Sequence, residues 1–357
     1  MSNERGKRVV VVGATGNVGT SVVRALGEDP EVASVVGIAR RIPAWSPPKL
    51  TWVRADIAEE ADDLVRPLEG ADAVIHLAWL IQPSHDPATT WRTNVLGSVR
   101  LFDAVAAAEV PTLVYASSVG AYSPGPHGRR VDESWPTHGW PEAAYCREKA
   151  YVERVLDTYE GEHPQVRVVR MRPAFLFKEQ SAAEQRRLFL GPFLPRRLVR
   201  PALLPVVPDI RGLMLQALHT DDAAEAYRLA VARDVRGAFN LAADPPLDAR
   251  VLAETLGART VRMPGAAARS ALAAAWHLHL VPASPQLFDA ALRLPLMDTR
   301  RAHDELGWRP RHTAVETIEE FLGGLRHGTG METAPLAPKA PGGRLREAVG
   351  TGVGRRP

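Results

Sequence analysis

The chain has 357 residues, 45% hydrophobic and 24% charged, which suffices for one large domain with a smaller lobe and excludes a disordered or disulfide-stapled miniature. Its formal net charge of +3 is local: residues 328–357 hold five basic and two acidic side chains, so residues 1–327 sum to zero and no nucleic-acid-binding face is expected. One cysteine, Cys146, can form neither an internal disulfide nor a thiolate zinc cage, which suits a reducing cytoplasm; the polar start, Met1 to Lys7, and the short apolar run behind it predict no signal peptide and no membrane span.

Arg8–Val12 is nearly all valine and reads as a strand buried on both faces. A glycine-rich turn follows, then a helix to about Gly27, a second strand at Ala33–Ala39 and a third at Leu50–Arg54. Ala58–Leu68 reads as a helix, Ala73–Ala78 as the fourth strand and Thr89–Ala108 as a long helix. A fifth strand at Thr112–Ser117, a helix over Ala143–Tyr159 and a sixth strand at Val166–Met171 continue the alternation. Repeated strand–helix–strand units predict an α/β fold, a Rossmann-like doubly wound parallel sheet.

Residues 1–174 are the expected dinucleotide-binding domain. Residues 216–247, with a helix at Asp222–Ala232 capped by Asp221 or Thr220 and a strand at Ala238–Leu241, are expected to return to it. Residues 175–215 and 248–327 are assigned to a smaller, mostly helical substrate lobe. Within it, Ala266–Val281 is broken by Arg269, His277 and His279 and reads as a packed helix, with a membrane-surface helix as the alternative. Residues 328–357 are rich in Pro and Gly and lack aromatics, so a disordered basic tail is expected.

Val11-Val12-Gly13-Ala14-Thr15-Gly16-Asn17-Val18-Gly19 joins the first strand to the first helix. Gly13 would permit the tight turn, Gly16 the approach of a pyrophosphate and Gly19 close packing of helix on sheet. The helix N-terminus would offer its free N–H groups to the phosphates. Tyr145-Cys146-Arg147-Glu148-Lys149 puts Tyr145 and Lys149 on one face of a helix. A phenol of ordinary pKa, about 10, is a poor base at neutral pH, and a neighbouring ammonium would lower it. Tyr145 could then exchange a proton with a substrate oxygen. Ala116-Ser117-Ser118-Val119-Gly120-Ala121-Tyr122 ends the fifth strand, on the sheet edge where open α/β folds gather catalytic groups.

Together these segments resemble the extended branch of the short-chain dehydrogenase/reductase superfamily, the NAD-dependent epimerase/dehydratase family, over residues 7–325. The resemblance implies a Ser-Tyr-Lys oxidoreductase site. Ser118, four residues before Tyr122, matches the catalytic serine, with Ser117 the runner-up. Lys149 would hold the nicotinamide ribose, and Asn94, in Trp91-Arg92-Thr93-Asn94, would support Lys149 through water. For the cofactor the resemblance implies Gly13, Thr15, Gly16, Asn17, Val18 and Gly19 at the pyrophosphate and Asp56 and Ile57 at the adenine. Leu77, Ala78, Trp79 and Ser117 would line it further, as would Tyr145 and Lys149, with Pro173, Ala174 and Phe175 beside the nicotinamide amide. Trp79 departs from the usual small residue, and His76 reads as structural. His219-Thr220-Asp221-Asp222 and Leu306-Gly307-Trp308-Arg309-Pro310 match two further family segments and are read as fold markers.

The second strand ends Gly37-Ile38-Ala39-Arg40-Arg41. Ala39 stands where an NAD enzyme of this fold carries an acid for the ribose hydroxyls, and Arg40 and Arg41 could pair with a 2′-phosphate. NADP(H) is therefore expected, with NAD(H) as the alternative if Arg40 only stacks on adenine and Arg41 faces solvent. The resemblance also marks two positions where nucleotide-sugar members grip a diphosphate; here they are Leu215 and Phe175. A small-molecule substrate that is not strongly charged is expected, although Arg186, Arg187, Arg196, Arg197 and Arg200 could take over phosphate binding. No metal-ligand spacing or hydrolase triad is evident. A homodimer through the helices after the fourth and fifth strands is implied by the resemblance, with no nucleic-acid or membrane partner.

The reading that results is a cytoplasmic NAD(P)-dependent oxidoreductase. A nucleotide-sugar epimerase or dehydratase is the first alternative. An NADP(H)-sensing protein without turnover is the second, and the intact Ser-Tyr-Lys set speaks against it.

Overall fold

The computed structural model describes residues 6–126, 128–190 and 206–338. In chain order its elements are β1 (Lys7–Val12), α1 (Asn17–Glu28), β2 (Val32–Ala39), β3 (Leu50–Arg54), β4 (Ala73–His76), α2 (Pro87–Trp91), α3 (Gly97–Ala107), β5 (Thr112–Ala116), β6 (Arg130–Val131), α4 (Ala144–Glu162), β7 (Arg167–Pro173) and β8 (Phe175–Phe177). They continue with α5 (Ala182–Gln185), β9 (Val206–Asp209), β10 (Ala217–His219), α6 (Thr220–Ala232), β11 (Gly237–Leu241), α7 (Ala249–Leu256), β12 (Arg259–Arg262), α8 (Gly265–His277), α9 (Pro285–Ala291), β13 (Leu296–Met297), α10 (Arg300–Asp304) and α11 (Ala314–His327).

Val9 to Val12 are buried from both sides because β1 lies inside a seven-stranded parallel sheet. Its order is β11-β7-β5-β4-β1-β2-β3. One face is covered by α1 and α6, through Val22, Val23, Leu26 and Tyr227. The other is covered by α3 and α4, through Leu101, Phe102, Val152 and Leu156. Val12 pairs with Ile38 and His76, His76 with Tyr115, and Ala116 with Met171. This register brings the carboxyl ends of the strands to one edge, where the candidate site residues sit.

Several elements differ from expectation. Residues 58–68 form turns with only a short 3₁₀ turn at Arg66–Leu68. Aspartates take the backbone N–H groups a helix would need: Asp62 accepts from Asp56, Asp56 from Ala58, and Asp63 from Val65 and Arg66. The long helix starts at Pro87 rather than Thr89, because Asp86 caps it by accepting from the Thr89 N–H. It is then interrupted by a π turn at Arg92–Leu96, a form found often at functional sites. Helix α6 starts at Thr220, and its cap is His219, whose Nδ1 accepts from the Asp221 N–H at 3.2 Å.

The C-terminal part of the expected second lobe belongs to the main body. Ala302, Leu306, Trp308 and Ala314 join the core under α1 and α6. The two family segments meet there: Trp308 Nε1 donates to the Asp222 carbonyl at 2.7 Å, and the buried Asp222 carboxylate accepts from His312. Helix α8 contains no buried residue, against the packed-helix reading, and Leu278 beyond it is 69% exposed. Among the described residues no helix is long and apolar enough to cross a membrane.

Residues 328–338, expected in the loose tail, dock on the body. Leu336 is fully buried, Thr329 Oγ1 donates to Glu179 at 3.0 Å, and Arg187 donates to the carbonyls of Pro335 and Ala337. One well-placed apolar side chain and a carbonyl-bonded arginine order a segment whose composition alone predicts none. Residues 339–357 lie outside the described residues. Leu336→Ala should therefore lower unfolding stability by about 2–5 kcal/mol, as other buried leucine truncations do. Urea denaturation of the two proteins measures this, and an unchanged midpoint would show that the segment contributes nothing.

Candidate active site

The turn from β1 into α1 is built so that only glycine fits its first position. Gly13 has φ +86°, and a side chain there would meet the Ala78 backbone nitrogen at 2.6 Å. A side chain at Gly19 would meet the Gly13 carbonyl at 2.3 Å, which shows how closely α1 folds back on the loop. Gly16 is the α1 N-cap; no side chain caps the helix and no acid lies in its first turn. Its leading N–H groups are therefore left for an anion. Thr15 and Val18 belong to this cradle by position. Asn17 is held from two sides: its Nδ2 donates to the Leu176 carbonyl, and its Oδ1 accepts from Thr220, both at 3.2 Å.

At the end of β5 the two serines separate, as alternate residues of an extended segment must. The Ser118 hydroxyl accepts from the Gly120 N–H at 3.0 Å and lies near enough to the Tyr145 phenol to favour its ionised form. The Ser117 hydroxyl, expected beside the cofactor, instead donates to Glu153 at 2.5 Å. The structure thus brings Ser118, not Ser117, to Tyr145.

Desolvation raises the Tyr145 phenol to about 12, with the neighbouring Ser118 hydroxyl acting against it. Lys149 was expected to pull the phenol down. Its Nζ lies instead 3.4 Å from the centre of the Trp79 ring and 6.0 Å from that of Tyr145, and donates to the Ala116 carbonyl at 2.6 Å. Lys149 is 3% exposed, and desolvation holds its ammonium well below the usual lysine range, with Glu153 and Glu148 opposing from a distance.

Glu153 is fully buried and was not foreseen. Arg172 grips it with two parallel bonds, Nε to Oε1 at 2.9 Å and Nη2 to Oε2 at 3.0 Å; Arg170 donates to Oε2 at 3.0 Å. Burial pushes its pKa up, but Arg172, Arg170 and Ser117 outweigh burial and hold it at about 2. Arg172 also donates to the Tyr122 hydroxyl at 3.0 Å, which donates to Asn240 on β11 at 2.6 Å.

With this geometry in view, comparison with known proteins is informative. The NAD dependent epimerase/dehydratase family matches residues 9–242. The chain belongs to that family. A dTDP-glucose 4,6-dehydratase of Streptomyces antibioticus is 26% identical over 360 residues, covering 93% of this chain and 98% of that one. An L-arabinose 1-dehydrogenase (NAD(P)(+)) of Haloferax volcanii is 34% identical over 113 residues, 31% of this chain and 41% of its own. Among solved structures, a UDP-glucose 4-epimerase of Thermus thermophilus complexed with NAD is 20% identical, covers 89% of this chain and 99% of that one, and superposes with a TM-score of 0.66.

Asn94 is buried in the π turn between α2 and α3. Its Oδ1 accepts from the Leu80 N–H at 2.7 Å, and its Nδ2 donates to the Leu80 carbonyl and to Glu148 at 2.8 and 2.7 Å. It thus ties the π turn to the loop after Trp79 and to α4. Trp79 covers Lys149, and its own Nε1 is buried without a partner. Leu77 and Ala78 lead to it, with the Leu77 N–H bonded to the Val12 carbonyl. His76 is structural as expected: it shares a 2.8 Å hydrogen bond with Ser98, and desolvation and Lys149 push it down to about 3.

At the far end of the cradle Asp56 caps a turn, accepting from the Ala58 N–H at 3.0 Å, and lies 3.9 Å from Arg40; Ile57 is buried beside it. Pro173 ends β7, Ala174 follows with its N–H bonded to the Leu241 carbonyl, and Phe175 opens β8. Arg196, Arg197 and Arg200 lie outside the described residues.

His219, His312 and Glu320 place ligand-type atoms within 4.8 Å of one another. Because His219 Nδ1 accepts from a backbone N–H, its ring proton sits on Nε2, 3.2 Å from Glu320. His219 Nδ1 and His312 Nδ1 are already engaged, by the Asp221 N–H and by the Asp222 carboxylate.

Glu153 had a legible signal. Arg170 and Arg172 sit in a buried strand and demand a partner, and Glu153 lies one helical repeat beyond Lys149. Glu153→Gln should cost about 3–5 kcal/mol by leaving Arg172 buried without its counter-charge. The native carboxylate, depressed from an ordinary pKa of about 4.3, stabilises fully above that value and loses its contribution as pH falls through about 2. Chemical denaturation at neutral pH and along an acid series checks both; a variant as stable as the native protein would refute the role.

Proposed function

We propose that the chain is an NAD(P)-dependent oxidoreductase moving a hydride between nicotinamide and a carbonyl or alcohol carbon of a small, weakly charged substrate. The observation that carries this reading is the Ser118 hydroxyl beside the Tyr145 phenol, with buried Lys149 one helical turn further along α4, at the carboxyl edge of the sheet. The uncapped, acid-free α1 N-terminus behind Gly13 fits a dinucleotide pyrophosphate. When bound, the nicotinamide supplies or accepts the hydride. Tyr145, held protonated at neutral pH by desolvation, gives its proton to a developing alkoxide in the reductive direction and takes it back in the oxidative one. Ser118 orients the same oxygen. Lys149 lies nearby and, after bonding Ala116, has donors left for a ribose hydroxyl.

The cofactor choice rests on Arg40, whose side chain is 53% exposed and meets Asp56 only at 3.9 Å, too loosely to hold it. NADP(H) is the proposed cofactor. The apolar Phe175 and Leu215 support a substrate without a diphosphate. A second reading, nucleotide-sugar epimerase or dehydratase, is favoured by the full-length similarity to the Streptomyces dehydratase; cofactor retained through purification would distinguish it. A sensor without turnover would not need the Ser118–Tyr145 pair. The exposed Leu96 and Tyr151, on the helices after the fourth and fifth strands, support pairing of two copies there. A cytoplasmic setting suits one buried, unpaired cysteine.

Tyr145→Phe should lower turnover by about 10²–10⁴-fold, the usual contribution of a positioned acid or base, and leave dinucleotide affinity nearly unchanged. Steady-state kinetics with a panel of ketones and NADPH tests it; near-normal turnover would sink the assignment.

The native protein should bind NADPH about 10- to 150-fold tighter than NADH, the equivalent of one charge-assisted pair to the 2′-phosphate. The double change Ala39→Asp with Arg40→Ala should reverse that order. Equal dissociation constants for the two in a fluorescence titration would mean that Arg40 and Arg41 are surface residues.

A further inference from the structure

Lys178 follows the apolar run Phe175–Phe177 and is 1% exposed. Its Nζ donates three hydrogen bonds of 2.8 Å each, to the Asn17 carbonyl, Thr20 Oγ1 and Ser21 Oγ. An ammonium has three protons, so all are used, and all three acceptors lie in the first two turns of α1. Among the described residues no carboxylate lies within ion-pair distance of it. Placing a cation where it has no direct counter-ion is costly, so the fold invests in this location. The charged groups facing it are Asp221 at the start of α6, Arg24 on α1, Glu184 on α5 and Glu320 on α11. Asp221 in turn accepts a hydrogen bond from Ser21.

We propose that Lys178 is a positioning residue for the dinucleotide pyrophosphate, clamping the first turn of α1 and adding a fixed positive charge beside the N–H groups that receive the phosphates. The proposal rests on the reading of this loop as a dinucleotide site. The α1 N-terminus has neither a side-chain cap nor an acid, so the helix dipole and Lys178 act in the same direction on an incoming anion. Desolvation brings the Lys178 ammonium down to about 8, partly opposed by Asp221. It is cationic at neutral pH, and its attraction for an anion fades as pH rises through about 8.

The test uses the full chain with ADP-ribose, which carries the pyrophosphate without nicotinamide, and adenosine, which carries no phosphate. Calorimetric titration, with competition for weak binding, gives the affinities. Lys178→Met should weaken ADP-ribose about tenfold, the order expected for loss of one neighbouring charge, and leave adenosine within about twofold. The native affinity for ADP-ribose should fall as pH rises through about 8, and Lys178→Met should lack that step. A change near 7, where Glu184 is pushed by burial, is expected in both proteins. Should Lys178→Met fail to fold, Lys178→Arg decides: a guanidinium stays charged, so ADP-ribose binding should persist and the step near 8 should vanish. Equal losses for the two ligands, no loss, or a step near 8 surviving in either variant would overturn the proposal. A native protein that binds neither ligand would overturn the dinucleotide reading itself, and the proposal with it.

Discussion

A single carboxylate buried where water cannot reach it governs the geometry of the whole site. Glu153 on α4 is bonded by Arg172 and Arg170 from β7 and by Ser117 from β5, and Arg172 reaches through Tyr122 to Asn240 on β11. Four elements of the carboxyl half of the sheet are thereby held in one register. Tyr145, Lys149 and Glu153 follow one another at intervals of four residues, so they form one stripe along α4. Anchoring the last of them to the strands sets the rotation of the helix and presents the first two to the sheet edge. Such an ion cluster is weak evidence of net stability, because desolvating the charges offsets much of their attraction. Its worth lies in direction: Arg172 has a planar fork that accepts one carboxylate orientation.

The same constraint explains why adjacent serines have different work. The Ser117 hydroxyl is already claimed by Glu153. The Ser118 hydroxyl is the one beside the Tyr145 phenol. Had the pairing been reversed, the reacting hydroxyl would have sat 2.5 Å from an ionised carboxylate, an acceptor that would compete with any substrate oxygen.

Much of the fold was legible because parallel strands buried on both faces leave a strong apolar signature, as Val9 to Val12 do, and because Gly13 and the Tyr145–Lys149 spacing are dictated by close approach and helix period. What the chain pattern concealed depends on side chains competing for backbone. The aspartates at 56, 62 and 63 dissolve an expected helix by capping its donors. Leu336 and Arg187, far apart in sequence, order a segment of tail-like composition. Trp308 marks the fold in the sequence without showing what it touches. Its indole in fact reaches Asp222, the other marker, and pulls the chain after it into the first core.

The two buried lysines, Lys149 and Lys178, are held in opposite ways. Lys178 has every proton satisfied by oxygen, so its charge is fixed in place and acts at a distance. Lys149 has one strong acceptor, Ala116, and otherwise an aromatic face, Trp79, at 3.4 Å. An indole stabilises an ammonium without consuming its protons, since the attraction is to the ring quadrupole rather than to a lone pair. Lys149 therefore keeps donors for a ligand in a dry site, a condition that a neighbouring carboxylate would not leave open, while desolvation pulls its pKa well below the usual lysine range. Glu148 and Glu153 flank it in sequence, yet both are occupied elsewhere, by Thr90 and Asn94 and by the two arginines. The buried network around α4 thus does two things at once: it orients the helix, and it keeps its own carboxylates from bonding Lys149.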